Sequence, residues 1–189
     1  MGRYIATTMP PITVPNTTMM IGSIRLEIPA TMSSTWGMYA GYELCENEPL
    51  PGKEEYLDSE KFELKKRDYN APGNIKGFIA RLNHIRRDNP AMQLYDNLVF
   101  HQADHEQMLC YSKSTPDHGN RILCVISLNG HAPIASLVHL DLGALGLDAS
   151  RPYRVQDLMH GHIYVWSGAD NYVSLNPEGT SMHLFKVEQ

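Results

Sequence analysis

From Leu94 to the C-terminus the apolar residues stop recurring every three or four positions and begin to alternate, and this change limits the fold more than any other feature of the chain. The expected strands are Asn97–His101, Gln107–Lys113, Arg121–Leu128, Ile134–Leu140, Tyr153–Asp157, Ile163–Trp166, Asn171–Ser174 and His183–Val187. Turn-forming residues separate them: T-P-D-H-G-N at 115–120, N-G-H at 129–131, S-G-A-D-N at 167–171 and N-P-E-G-T at 176–180. Many short strands with regular turn signals imply an antiparallel sandwich or barrel.

Upstream the pattern is different. Asn74–Asn89 places Ile75, Phe78, Ile79, Leu82 and Ile85 on one helical face. Asn74 follows Pro72-Gly73 as a candidate N-cap, Arg86 and Arg87 suit the negative C-terminal end, and Pro90 lies just beyond it. A second helical pattern runs over 16–34 through Met20, Ile21, Ile24, Ile28 and Met32, and Pro29 is expected to kink or stop it. Met1–Pro15, rich in Pro and Thr, reads as extended. Trp36–Leu44 reads as a short buried strand. The polar segment that follows, to Gly73, is far longer than the roughly 12–15 residues at which structureless loops become uncommon. Tyr56, Leu57, Phe62, Leu64 and Tyr69 among its charges imply a loop folded onto something rather than a solvated linker. Strand, long loop and helix make a βα unit, and in β/α barrels such loops carry the active site. Two helices and one strand cannot cover both faces of that strand, so residues 1–92 are expected to continue a longer barrel or to pair with a second copy, and 93–189 to form the β domain.

Composition narrows the partners. The formal net charge is −5, and the K-K-R run at 65–67 is flanked by Glu63 and Asp68, so neither nucleic acid nor an anionic membrane is expected. No stretch is long enough to span a bilayer, and the N-terminus lacks the apolar region of a signal peptide. Cys45, Cys110 and Cys124 are an odd, sparse set, which fits a reduced, cytoplasmic protein.

Specific motifs add a resemblance. W-G-M-Y-A-G-Y-E-L at 36–44 resembles the eighth barrel strand of the α-amylase superfamily, glycoside hydrolase family 13. The helix ending R-R-D-N-P-A-M at 86–92 resembles its eighth barrel helix. G-Y-E-L-C-E, P-G-K-E-E-Y-L-D-S-E-K-F-E, D-Y-N-A-P-G-N-I-K and Q-L-Y-D-N-L are similar to the α-1,4-glucan:maltose-1-phosphate maltosyltransferases. The resemblance implies an α+β architecture: the last strand and helix of a (β/α)8 barrel, then an all-β antiparallel Greek-key sandwich. It also implies the C-terminal part of a longer enzyme that adds maltosyl units to α-glucan. The family's nucleophile and acid/base lie on barrel strands that this sequence does not contain, and Pro11 stands where the third carboxylate is expected. The site residues the resemblance transfers are Lys61 and Phe62, which face the donor sugar, with Glu60 beside them. Phe62 replaces the family's Tyr and lacks its hydroxyl, and Pro29 replaces an Ala. The chain alone is expected to be inactive, with α-1,4-glucan and the maltosyl donor as partners of the whole enzyme. No cofactor is expected. A stand-alone carbohydrate-binding or scaffolding sandwich is the alternative.

Other candidates have plainer readings. Glu43, Glu46, Glu54, Glu55 and Glu60 read as loop-fixing charges. His101 with His105, and His160 with His162, have metal-ligand spacing, but no Cys or acidic cluster is seen to complete either pair, so no metal is expected. Tyr164, Trp166 and Tyr172 suit sugar stacking but read as packing residues. Cys110 and Cys124, near-opposite across an expected hairpin, read as reduced apolar fillers.

Overall fold

A computed structural model describes residues 26–48, 51–52 and 64–189. Eight strands follow two helices: α1 (described over 26–32), α2 (Lys76–Asp88), β1 (Leu98–Ala103), β2 (Met108–Ser114), β3 (Arg121–Ser127), β4 (Ile134–His139), β5 (Tyr153–Asp157), β6 (Ile163–Trp166), β7 (Asp170–Leu175) and β8 (Met182–Glu188). All eight expected strands are present, and every strand pair is antiparallel. The order is β6-β5-β8-β3-β2-β1-β4-β7. Within it β4-β1-β2-β3 is a Greek key, three hairpin-connected strands with the fourth returning beside the first. β1 is the corner: residues 98–101 pair with β2, while Gln102 and Ala103 pair with β4. This switch folds the sheet over into two layers.

Between the layers lies one core, formed by Leu123, Val125, Val155, Phe185 and Val187 against Ile134, Val138, Val173 and Leu175. A second core covers the other face of β2, β3 and β8: Tyr111, Ile122, Cys124, Ile126, Met182 and Leu184 meet Leu26 and Ala30 of α1 and Ile79, Leu82 and Ile85 of α2. The central strands are thus buried on both sides, which explains the unbroken apolar run I-L-C-V-I in β3. Ile79, Leu82 and Ile85 each contribute about 1.5–3 kcal/mol on burial, together comparable with the roughly 5–15 kcal/mol stability of a whole domain.

Two expectations need correction. Trp36–Leu44 is not a strand: 36–39 is irregular, Gly41 turns the chain at φ 99°, and Tyr42–Leu44 is a 3-10 helix ending at Cys45 with φ 58°. Among the described residues no strand precedes Leu98, so this segment has no ladder to join and its backbone turns on itself instead. The apolar face of α2 needs no second copy, because the chain's own sheet covers it. α1 stops at 32, close to Pro29 as expected, with the Ser33 amide donating to the Pro29 carbonyl. Cys110 and Cys124 are free and buried, as expected of apolar fillers, each in a different core on opposite faces of the sheet. The expected helical residues before 26 lie outside the described residues. Among the described residues no helix is long and apolar enough to cross a membrane.

Two buried cations finish α1. Arg86 donates to the carbonyls of Ala30, Ser33 and Ser34, and Lys113 Nζ donates to Met32 at 3.0 Å and Leu94 at 2.9 Å. The same helix buries Glu27 completely, its Oε1 accepting from Ser181 and its Oε2 without a partner. Burial raises its pKa from 4.5 to about 7, the Ser181 hydrogen bond only partly opposing it. An acid with a raised folded-state pKa favours folding below its unfolded value, and that contribution is lost as pH rises through the folded value. Stability should therefore fall between about pH 4.5 and 7 and level off above. Glu27→Gln should remove this slope and, at pH 8, stabilise the protein by up to about 3 kcal/mol in urea denaturation. Parallel pH profiles for the two proteins would show that the carboxyl ionises freely.

Candidate functional site

Glu60, Lys61 and Phe62 lie outside the described residues, as do Glu54 and Glu55. What the structure describes is the base of the loop that carries them. Its two arms meet at Glu46, whose carboxylate takes Arg67 Nε on Oε1 at 3.0 Å and Lys65 Nζ on Oε2 at 3.2 Å. Two of the three basic residues of the K-K-R run, Lys65 and Arg67, are thus engaged in an internal ion pair, and the Arg67 side chain is only 3 % exposed. Partial burial opposes ionisation of Glu46, but the bonds and charges of Arg67 and Lys65 outweigh it and lower its pKa. Glycine is favoured at 41 because its φ of 99° is one that L side chains rarely adopt, and a Cβ there, 2.4 Å from Glu46 Oε2, would also displace that carboxylate. The Gly41 amide donates to Glu43 Oε2 at 3.1 Å, and the Glu43 carbonyl accepts from Ile75 at the start of α2 at 2.9 Å. Asp68, Asn70 and Asn74 continue this arm as turns into α2, and Trp36 Nε1 donates to Asn83 Oδ1 at 3.2 Å. Glu43 and Glu46 are loop-fixing residues, and Glu46 binds both basic residues across the neck. Met38 and Tyr39, beside it, are exposed.

The other candidates separate by register. His101 Nε2 pairs with Ser112 Oγ and its Nδ1 accepts from the Asp141 amide, while His105 Nδ1 accepts from Gln107; the two do not converge. His160 and His162 stack at 6.4 Å instead of sharing a ligand. Among the described residues neither expected pair is completed by an acid, but a different group forms around His160. Asp157 and His183 meet His160, and their ligand atoms lie within 4.8 Å of one another. No local spacing signals this, because His183 arrives from β8. Trp166 packs edge-on against Tyr153 and Phe185, as expected of a packing residue, whereas Tyr172 is 66 % exposed.

Comparison with known proteins places this geometry. Residues 100–187 match the family described as GLGE, C-terminal. The α-1,4-glucan:maltose-1-phosphate maltosyltransferase of Methylacidiphilum infernorum is 45 % identical over 168 residues, covering 88 % of this chain and 25 % of that protein. Those of Rhodospirillum rubrum and Pseudomonas aeruginosa are 43 % and 41 % identical, covering 86 % and 88 % of this chain and 24 % and 25 % of theirs. The chain resembles the C-terminal part of these maltosyltransferases over most of its length. It spans about a quarter of the length of these relatives. Among solved structures, the maltogenic α-amylase AmyB of Thermotoga neapolitana superposes with TM-score 0.61 at 13 % identity, over 93 % of this chain and 38 % of that one. The α-amylase of Geobacillus thermoleovorans gives 0.61 at 15 %, over 90 % and 34 %. At these identities the likeness is one of fold. It agrees with the β domain and the helical layer packed on it.

If Glu46 holds the loop base closed, Glu46→Gln and Arg67→Gln should be coupled in a double-mutant cycle by about 1–2 kcal/mol. Each should also expose the segment between them to faster limited proteolysis. Additive effects with unchanged cleavage would mean that other contacts set the neck.

Proposed function

We propose that this chain serves maltosyl transfer from maltose 1-phosphate to the non-reducing end of an α-1,4-glucan, as the C-terminal portion of a maltosyltransferase acting in the cytoplasm. The observation that carries the reading is 41–45 % identity to such enzymes over nearly nine-tenths of the chain. The loop anchored at Glu46 would bring Lys61 and Phe62 to the donor sugar, with Glu60 beside them. Lys61 supplies a cationic donor, and Phe62 supplies an apolar face without the hydroxyl of the family's Tyr. The β domain packs against the described base of this segment through Tyr42, Cys45 and α2.

Retaining transfer needs a carboxylate nucleophile at the anomeric carbon and a protonated acid beside the leaving oxygen. In the family both come from barrel strands that precede the region represented here, so the chain alone should be inert. Groups that act as a unit lose nearly all their effect when some are missing. Two measurements test this. Phosphate release from maltose 1-phosphate with a maltooligosaccharide should not exceed the blank, and turnover abolished by Lys61→Ala would reveal a complete site. Conversely, replacing the matching quarter of the Methylacidiphilum infernorum enzyme with this chain should preserve phosphate release. Lys61→Ala in that chimaera should raise KM for maltose 1-phosphate by about tenfold or more, the loss of one charge-assisted hydrogen bond. A folded but inactive chimaera, or an unchanged KM, would overturn the assignment.

A further inference from the structure

The trio at the end of β5 holds an electrostatic conflict that points to a ligand. Asp157 is fully buried. Its Oδ1 accepts from the amides of Met159 at 2.9 Å and His160 at 3.4 Å, which fixes the carboxylate. Its Oδ2 faces two imidazoles, His160 Nδ1 and His183 Nδ1, each at 2.8 Å. The turn that returns His160 is closed by the Gly161 amide on the Asp157 carbonyl at 2.7 Å, with Gly161 at φ 81°. His183 reaches the same oxygen because β5 and β8 pair with Asp157 opposite Phe185, two residues along the same strand face.

The other ring nitrogen of His183 decides the chemistry. Nε2 lies 3.2 Å from the Ser174 carbonyl, which can only accept, so Nε2 carries a hydrogen. In a neutral imidazole Nδ1 is then a lone pair, aimed at a carboxylate oxygen at hydrogen-bond distance. Two acceptors in that position repel, and a positive centre between them removes the conflict. An outer N–H held by a backbone carbonyl is also the arrangement that metal-bound histidines usually show.

We propose that Asp157 Oδ2, His160 Nδ1 and His183 Nδ1 bind a divalent transition metal of the zinc class, with water in the fourth position. Two imidazoles and one carboxylate suit zinc rather than magnesium or calcium, which prefer all-oxygen sites. Bonds of about 2.0–2.2 Å in a tetrahedron separate ligand atoms by roughly 3.3 Å, so each imidazole nitrogen moves about half an ångström away from Oδ2. The His160 side chain, 30 % exposed, gives the ion access, while Asp157 is closed to solvent. The metal fastens β5 and its turn to β8 and, through Ser174, to β7 in the other layer. Nothing in this site depends on maltosyl transfer.

The test uses the full chain freed of metal by a chelator. Calorimetric titration with zinc chloride should show one saturable site per chain, with none for magnesium chloride, and zinc should raise the Tm. His160→Gln and His183→Gln should each weaken binding on the order of 100-fold, at least the loss that follows removal of an outer-shell partner. His131→Gln, at an exposed histidine between β3 and β4, should leave it unchanged. Cobalt(II) should give the intense visible bands of a four-coordinate ion in the parent protein and not in His160→Gln, whose altered side chain lies at the surface and preserves the fold. No saturable zinc binding, or stoichiometric binding that survives both substitutions, would overturn the proposal.

Discussion

The structure depends on a sheet buried on both faces. β2, β3 and β8 send alternate side chains into two cores: Tyr111, Cys124 and Leu184 toward the helices, Cys110, Val125 and Phe185 toward the second β layer. Apolar burial is non-directional, so by itself it would let the helical layer slide over the sheet. The buried cations remove that freedom. Lys113 leaves β2 and Arg86 leaves α2, and both end on carbonyls at the C-terminal end of α1. Burial and the neighbouring charge of Arg86 lower the Lys113 pKa, so the arrangement has an electrostatic cost. Removing either cation would instead leave carbonyls buried and unpaired, at about 1–3 kcal/mol each. The helical layer is held in one register by these bonds and held on by Ile79, Leu82 and Ile85.

Elements defined by local pattern were legible in the sequence. The eight strands follow from alternation and turn chemistry, and α2 follows from its apolar stripe with Pro90 beyond. The Greek-key order follows from the family resemblance and not from pattern, since pairing is a property of distant segments. Trp36–Leu44 shows why local reading fails. A strand exists only with a ladder partner, and among the described residues none is present for it, so a sequence rich in Trp, Tyr and Gly becomes an irregular stretch and a short 3-10 helix. The cover for α2 was also misassigned, to a second copy. The available signal was the unbroken run I-L-C-V-I in β3, too apolar for a strand with one wet face, which implies a layer on each side.

The same distinction governs the sites. Glu46 and the basic run at 65–67 were visible as charges, but nothing local pairs residues 21 positions apart. The histidine spacing at 160 and 162 drew attention to the right turn for the wrong reason. Those two rings stack, and the ligating geometry comes from Asp157 three residues back and His183 on another strand. A cluster created by strand register is invisible until the register is known.

β8 is the element through which these features meet. Met182 and Leu184 pack under α1 and α2, Phe185 and Val187 fill the sandwich, and His183 bridges Asp157 to the Ser174 carbonyl. Ser181, just before it, holds the buried Glu27 of α1. One strand therefore touches the helical layer, both β layers and the histidine cluster, and interior packing is too dense to absorb a shift at one of them alone. A change that moves β8 at His183 must be accommodated at Met182 and Leu184, and so beneath the helix from whose N-terminus the long loop departs. The loop base is thus linked to the last strand through α2 as well as held by its own ion pairs.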